Sequence, residues 1–159
     1  SRLYEIPLST GVVRFAGTIA ASQPRNILWN SVRSRLVSTF NNLNVFFTNP
    51  ETGLSTSLGL PVGGRPTSTG VDRAGGTYVT TDQVQTISYI TPGNTIARFA
   101  GLDPGFGDNG PAELAGLTTP YSVAYDTSGN LYVADSGNNN VRRISPTNVI
   151  TTQIASAQN

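Results

Sequence analysis

The chain has 159 residues, a formal net charge of +1 and 12% charged residues, about half the share that is usual in soluble proteins. All ten basic residues are arginine and they are scattered, so no stripe could neutralise a row of phosphates, and nucleic acid is not an expected partner. Because histidine and cysteine are absent, a Ser-His-Asp triad and an ordinary zinc site are excluded.

The first predicted element, residues 1–17, carries half of a sequence repeat. RLYEIPLSTGVVRFAG at residues 2–17 aligns without a gap with TISYITPGNTIARFAG at residues 86–101. Ile6 meets Ile90, and Val-Arg-Phe-Ala-Gly meets Ala-Arg-Phe-Ala-Gly. The alignment predicts that the chain begins with the last two strands of a repeated unit.

The second element, residues 18–65, is an insertion with two interpretations. Arg25–Phe40 has apolar residues near helical spacing and residues 41–47 favour a strand, which together would form a helix-plus-strand decoration. Alternatively, Asn-Leu-Asn-Val at residues 42–45 resembles Asn-Leu-Tyr-Val in the last unit, which would make the insertion a degenerate copy of the repeat. Residues 48–65 are rich in glycine and proline and predict a loop.

The strongest self-match joins residues 66–92 to residues 120–146. The two segments align without a gap, and the shared positions are Pro66 with Pro120, Asp72 with Asp126, Gly75 with Gly129, Tyr78 with Tyr132, Val79 with Val133, Ile90 with Ile144 and Pro92 with Pro146. Such a match indicates an architectural repeat. The last copy keeps Ile150 but has Gln153 where the preceding copy has Phe99.

One copy of the repeat predicts a four-stranded antiparallel meander. In the last copy the strands are expected at residues 121–125, 131–134, 141–145 and 149–154, with short turns between them. In the first turn Asp126 can accept hydrogen bonds from its own backbone while Gly129 takes a positive φ. Val141 and Ile144 are three residues apart and point to opposite faces, which suits a sheet covered on both sides.

The segment from Pro120 to Ile144 resembles the NHL repeat, on the order Pro-x-x-Val-Ala-x-Asp-x-x-Gly-Asn-Leu-Tyr-Val-Ala-Asp-x-Gly-Asn-Asn-x-Val-Arg-x-Ile. The stretch at residues 99–120 is similar to the glycine-rich linker between blades of bacterial NHL proteins. The resemblance implies an all-β fold of β-propeller blades, usually six, used as a platform for protein, sugar or nucleic-acid partners. The predicted units are a half blade (residues 1–17), the insertion (18–65), a blade (66–101), a linker (102–119) and a blade (120–159), too few to close a ring within one chain.

Few residues carry candidate chemistry. Asp103, Asp108 and Glu113 could hold calcium through oxygen ligands, although a solvated linker explains them as well. The carboxylate pairs Asp72 with Asp82 and Asp126 with Asp135 begin turns, which favours turn capping over acid-base catalysis. Aromatic residues of the insertion could anchor a partner or fill a local core. Arg142 and Arg143 could form a docking patch, but an arginine of the third strand that reaches across to a neighbouring blade explains them as well. The full set of interface candidates is Arg2, Tyr4, Trp29, Phe46, Phe47, Arg142 and Arg143.

The sequence therefore predicts an assembly subunit rather than an enzyme, without a cofactor. Because the chain opens on the second half of a blade, its first strands offer edges to another copy, and head-to-tail contacts would build a secreted oligomer or fibre. The alternative is a part of a closed propeller that binds protein or carbohydrate. Low charge, missing lysine and abundant threonine favour an extracellular location, and no apolar run is long enough to span a bilayer.

Overall fold

The computed structural model describes residues 2–5, 14–18, 24–40, 44–60, 64–102 and 107–155, with side chains from residue 25 onward. The described residues form fifteen strands and two single-turn 3-10 helices, with no α-helix among them. The predicted all-β class is confirmed. None of the helices in these ranges is long and apolar enough to cross a membrane.

The strands form four antiparallel sheets. A two-stranded sheet comprises β1 (Arg2–Glu5) and β2 (Arg14–Thr18). Sheet 1 comprises β3 (Pro24–Asn30), β4 (Arg35–Phe40), β5 (Asn44–Thr48) and β6 (Ser55–Gly59). Sheet 2 comprises β7 (Pro66–Val71), β8 (Thr77–Thr81), β9 (Thr86–Ile90) and β10 (Ile96–Ala100). Sheet 3 comprises β11 (Gly110–Pro111), β12 (Pro120–Tyr125), β13 (Leu131–Asp135), β14 (Asn140–Ile144) and β15 (Val149–Ala155).

Sheets 1, 2 and 3 are four-stranded meanders with the same order, in which each strand pairs with the next one along the chain. In sheet 3 the short β11 adds to the outer edge by pairing with β15. The predicted turn after β12 is also observed, since Gly129 has a φ of +89°. Sheets 2 and 3 are the predicted four-stranded units, and sheet 1 shows that the insertion is a further copy. Asn44 and Val45 lie in the third strand of sheet 1 and not in the second, so the resemblance to residues 130–133 does not reflect the observed register.

The helical alternative for Arg25–Phe40 is wrong, because the segment forms the hairpin of β3 and β4. Its apolar residues do not share one buried face: Ile27 is 55% exposed and Val32 is 54% exposed, whereas Phe40 is buried. Pairing of β4 with β5 therefore outweighs the helical spacing. The loop predicted at residues 48–65 is likewise corrected, since Ser55–Gly59 forms the outer strand of sheet 1.

Successive sheets stack through their faces, and the first strand of each sheet lies against the first strand of the next. Sheet 2 is covered on both sides. On one side Val79 and Ile90 join the core of sheet 1, and on the other Tyr78 and Ile87 join the core of sheet 3. All five residues of β8 are buried as a result.

The glycine-rich linker contributes to this packing. The prediction that it is solvated is wrong for the part that lies against sheets 2 and 3. There a 3-10 turn at Ala112–Leu114 follows β11, and the side chains of Ala112, Ala115 and Leu117 enter the core shared by the two sheets. Apolar side chains at these three positions give the linker surface to bury.

Candidate binding surfaces

The carboxylates that begin the turns of sheets 2 and 3 cap those turns. Asp72 Oδ1 accepts hydrogen bonds from the amides of Ala74 and Gly76, each at 2.8 Å, and Asp126 Oδ1 accepts from Ser128 and Asn130 at the same distance. The side chain of Asn130 also donates to Asp126, and its hydrogen bonds hold the pKa of that carboxyl below its ordinary value. The predicted capping role is confirmed for both aspartates.

The other two carboxylates have separate structural partners. Asp82 pairs with Arg65 at 3.1 Å, and the fully buried Asp135 accepts a hydrogen bond from the Thr118 amide at 2.7 Å. Asp135 also pairs with Arg142. Asp135 makes no side-chain cap on the 3-10 turn that it begins, so the capping predicted for it is not observed. Asp82 Oδ1 is buried and has no hydrogen-bond partner among the described residues.

Arg142 is fully buried and binds the linker to sheet 3. Its guanidinium lies 2.9 Å from Asp108 and 3.4 Å from Asp135, and it donates to the carbonyl oxygens of Gly107 and Gly116. The structure therefore places Arg142 inside the protein, away from any docking patch. A buried cation is stable here because carboxylate and carbonyl oxygens surround it.

The calcium candidates are not brought together among the described residues. Asp108 is engaged with Arg142, Glu113 belongs to the 3-10 turn of the linker, and Asp103 lies outside the described ranges. Within those ranges no three acidic side chains form a group that could hold a metal ion.

The aromatic candidates of the insertion differ in accessibility. Phe46 is buried and meets Phe40 edge to face, with ring centres 5.3 Å apart, and Phe47 is buried beneath the guanidinium of Arg33. These two side chains serve the local core, whereas Trp29 is 48% exposed. Arg2 and Tyr4 lie in β1, where side chains are outside the described set.

Trp29 lies in a cleft of about 640 Å³ at the end of the first strands of the three sheets. The turns that follow β3, β7 and β12 form its rim, and it is lined by apolar side chains such as Leu28 and Val32 together with the exposed guanidinium of Arg73. Such a surface can take an extended ligand that has both apolar and polar groups.

The outward face of sheet 3, called here the open face, is not covered by any other sheet among the residues that the structure describes, whereas both faces of sheet 2 are. It includes Tyr132, Val141 and Arg143, and in the repeat these positions correspond to Tyr78, Ile87 and Tyr89 of sheet 2, at the offset that pairs Pro66 with Pro120. Tyr78 is 7% exposed and Ile87 is 0% exposed, whereas Tyr132 and Val141 are only partly buried. Sequence reasoning proposed Arg143 but missed its neighbours, which the repeat offset identifies.

Four aromatic rings cluster between sheets 2 and 3, a feature that sequence reasoning also missed. The ring centre of Tyr78 lies 4.9 Å from those of Tyr89 and Phe99, and 5.9 Å from that of Tyr125. Burial, with the nearby charge of Asp72, raises the pKa of Tyr78, and burial and a hydrogen bond to Asp72 raise that of Tyr89 to about 12. Both phenols are therefore neutral at physiological pH.

A family model described as NHL repeat matches residues 117–144. Among solved structures, the chain is similar to a streptogramin B lyase, with 17% identity and a TM-score of 0.73 over 95% of this chain and 47% of that chain. A structural genomics protein from Bacteroides thetaiotaomicron shows 18% identity and a TM-score of 0.78 over 99% of this chain and 44% of that chain. A nidogen/laminin complex shows 17% identity and a TM-score of 0.69 over 92% of this chain and 52% of that chain.

The chain thus spans about half the length of these solved structures. A search of curated protein sequences finds no match. The prediction that the chain is not an enzyme is corrected, because a lyase shares its fold and the fold gives no ground for excluding catalysis. The repeat match, the four-stranded meanders and the shared fold agree: residues 117–144 match the NHL repeat, and the chain has the fold of β-propeller blades.

Proposed function

We propose that the chain supplies blades to a β-propeller platform that a second copy completes by docking on the open face of sheet 3. The observation that carries the proposal is the contrast between equivalent faces of successive blades. Tyr78 and Ile87 in sheet 2 are buried by the next blade, whereas their counterparts Tyr132 and Val141 in sheet 3 remain accessible.

The open face combines apolar and polar groups, as interfaces between separately folded subunits do. Exposed Ala124 and partly exposed Ala134 lie around Tyr132 and Val141 and form a shallow groove of about 190 Å³. Arg143 takes the place of Tyr89, and the exposed Gln153 takes the place of Phe99. An apolar centre with polar groups at its side is the usual pattern of interfaces between folded subunits.

A second copy is the proposed occupant because its two-stranded sheet carries the sequence of a blade's outer strands. Residues 2–17 align with residues 86–101, and β1 pairs only with β2 among the described strands. Contact between the two-stranded sheet of one copy and the open face of another joins two different surfaces. Such head-to-tail contacts close into a ring or extend into a filament.

Native mass measurement over a range of concentrations tests this assembly. We expect multiples of the 16.7 kDa chain mass for the wild type and dissociation for Val141→Glu, because the substitution places an unpaired charge in the contact. Leu54→Glu is the matched control, since Leu54 is 74% exposed in the turn before β6 and belongs to the sheet 1 hairpin rather than to sheet 3. A wild type that stays at 16.7 kDa, or a Val141→Glu variant with the wild-type mass, contradicts the proposal.

A second function is favoured by the length comparison. The chain spans 47% of the streptogramin B lyase chain. The other blades of a complete propeller would then belong to the same, longer polypeptide, which would close into a ring as a monomer. In that case the cleft beside Trp29 would form part of its protein- or carbohydrate-binding surface. A monomeric wild type would favour this function over assembly. Export to the cell exterior stays a prediction, which fractionation of the source cells would check.

A further inference from the structure

The junction between sheets 1 and 2 contains an internal cation. Arg33, in the turn after β3, donates from Nη2 to Asn94 Oδ1 in the turn after β9, at 2.6 Å. Its guanidinium carbon also lies 4.4 Å from the centre of the Phe47 ring, within the range of a cation-π interaction. The cation is thus held between an aromatic ring of one blade and an amide oxygen of the next.

The junction between sheets 2 and 3 repeats this arrangement with one substitution. The strand registers place Tyr89 at the position of Phe47, and the repeat offset places Asn148 at the position of Asn94. Both asparagines have a positive φ, +62° for Asn148 and +66° for Asn94. Ala74 takes the place of Arg33. The amide of Ala74 donates to Asp72 Oδ1 just as the amide of Arg33 donates to Asn30 Oδ1, and a residue with positive φ follows in each turn.

The substitution leaves an acceptor without a donor. Within the described residues Asn148 Oδ1 is buried and has no hydrogen-bond partner, which destabilises the junction unless a donor is supplied. Asn148 also lines a cavity of about 160 Å³ whose other walls include the rings of Tyr78, Phe99 and Tyr125, called here the aromatic cavity. A buried acceptor atom without a partner beside a cavity favours binding of a ligand that can donate a hydrogen bond.

The charge at this junction favours a cationic ligand. Asp72 stands where sheet 1 has the neutral Asn30, so that the second junction gains a carboxylate. Its Oδ2 accepts a hydrogen bond of 2.7 Å from the hydroxyl of Tyr89, which packs against Tyr78 in the wall of the cavity. Aromatic faces and a nearby carboxylate both lower the electrostatic potential and attract a cation.

We propose that the aromatic cavity between sheets 2 and 3 binds a guanidinium group supplied from outside the chain, in the role that Arg33 performs internally at the preceding junction. The guanidinium belongs either to an arginine side chain of a partner protein or to a small guanidinium compound. This site goes beyond the proposed function and does not depend on whether copies of the chain assemble.

Ligand titration followed by NMR tests the chemistry of the site. The probes are N-acetyl-arginine amide, methylguanidinium and N-acetyl-citrulline amide, of which the last has nearly the shape of the arginine probe without its charge. We expect the arginine probe to shift the side-chain signals of Asn148 and Tyr125 and the citrulline probe to bind at least about tenfold more weakly. Binding of methylguanidinium as well identifies the site as one for small compounds, and binding of the arginine probe alone identifies a partner's arginine. Equal binding of arginine and citrulline, or no binding at millimolar concentrations, overturns the proposal.

A substitution that restores the internal cation gives a second test. Ala74→Arg should place a guanidinium against Asn148, raise the melting temperature and reduce binding of the arginine probe at least about tenfold. Ser128→Arg is the matched control, because Ser128 occupies the same turn position in sheet 3, and it should leave binding unchanged. Unaltered binding by the Ala74→Arg variant, or an equal loss in Ser128→Arg, contradicts the assignment.

Discussion

Arg142 and Asp135 form an ion pair in which both side chains are fully buried. The pair is stable because each member has further partners: Arg142 reaches Asp108 and two linker carbonyls, and Asp135 accepts the Thr118 amide. The same two side chains therefore connect the linker to β13 and β14. Loss of Arg142 would leave Asp135 buried and charged without its counter-ion.

Replacing Arg142 by methionine should reduce the free energy of unfolding by about 3 to 5 kcal/mol, because Asp135 would remain buried without a cation. Chemical denaturation of the variant measures this loss. The control is Arg65→Met, which breaks the pair of Asp82 with a side chain that is 47% exposed and should cost at most about 1 kcal/mol. Similar losses in the two variants would show that burial does not set the strength of the Arg142 pair.

Single residues were predictable from the sequence where the interaction is local. The capping aspartates Asp72 and Asp126 bond to amides two and four residues away, and the spacing alone indicates this. Arg142 and Asp108 are far apart along the chain, and their contact depends on how the linker packs. Composition could not distinguish an exposed arginine patch from such a buried anchor.

Among the structural elements, β10 ends in a turn that only glycine fits. Gly101 has a φ of +84°, and a methyl group in its place would lie 2.3 Å from the carbonyl oxygen of Gln85. Backbone rather than a flexible side chain blocks this position, so the strand end cannot adjust easily.

Gly101→Ala should therefore lower the free energy of unfolding by about 2 kcal/mol or more, through left-handed strain together with the clash against β9. Thermal or chemical denaturation gives the value. Gly110→Ala is the matched control in β11, because no atom lies within 4 Å of a methyl group there, and its effect should be within about 0.5 kcal/mol. A loss in the control as large as in the Gly101 variant would refute the explanation.

The strands of the last blade were predictable to within about one or two residues at each end. Alternation of apolar and polar side chains and turns that begin with aspartate and contain glycine indicate the same strand boundaries there. The insertion was harder. Its Ser55–Gly59 strand is rich in serine and largely exposed, and it becomes a strand only because β5 offers an edge to pair with. Pairing across a sheet is a tertiary effect that single-segment patterns do not contain.

In the whole molecule, sheet 2 is strongly protected because neighbours cover both of its faces. Opening β8 exposes two cores at once, whereas opening the exposed β6 disrupts the edge of one sheet. In repeat proteins the stability of a unit is approximately its own contribution plus that of each interface with a neighbour.

Native-state hydrogen exchange should accordingly find the slowest amides in β8 and much faster exchange in β6. Tyr132→Ala provides a control, since it alters the open face of sheet 3 and should leave the exchange of β8 nearly unchanged. Equal exchange rates in β8 and β6 of the wild type would indicate that the sheets open as one unit.

The stacking of blades follows from the repeat, but the sites between them do not. The aromatic cavity combines Tyr78 and Phe99 of sheet 2 with Tyr125 and Asn148 of sheet 3. Those residues come together only when the strand registers and the order of the sheets are known. The sequence contained one signal, namely that the aligned copies keep an asparagine in this turn, at Asn94 and Asn148. The correspondence of Arg33 with Ala74 needed the strand registers.

The turn that carries Arg33 has a consequence for how such a site can evolve. The Trp29–Leu36 pair of sheet 1 encloses six residues, 30–35, whereas the corresponding Val71–Thr77 pair of sheet 2 encloses five, 72–76, so the turn of sheet 1 is longer by one residue. Strand pairing tolerates this change in length, since both hairpins are intact. Insertion or deletion of a single codon, together with replacement of one side chain, is thus expected to interconvert a blade junction that holds its own arginine and one that binds a guanidinium group from outside the chain.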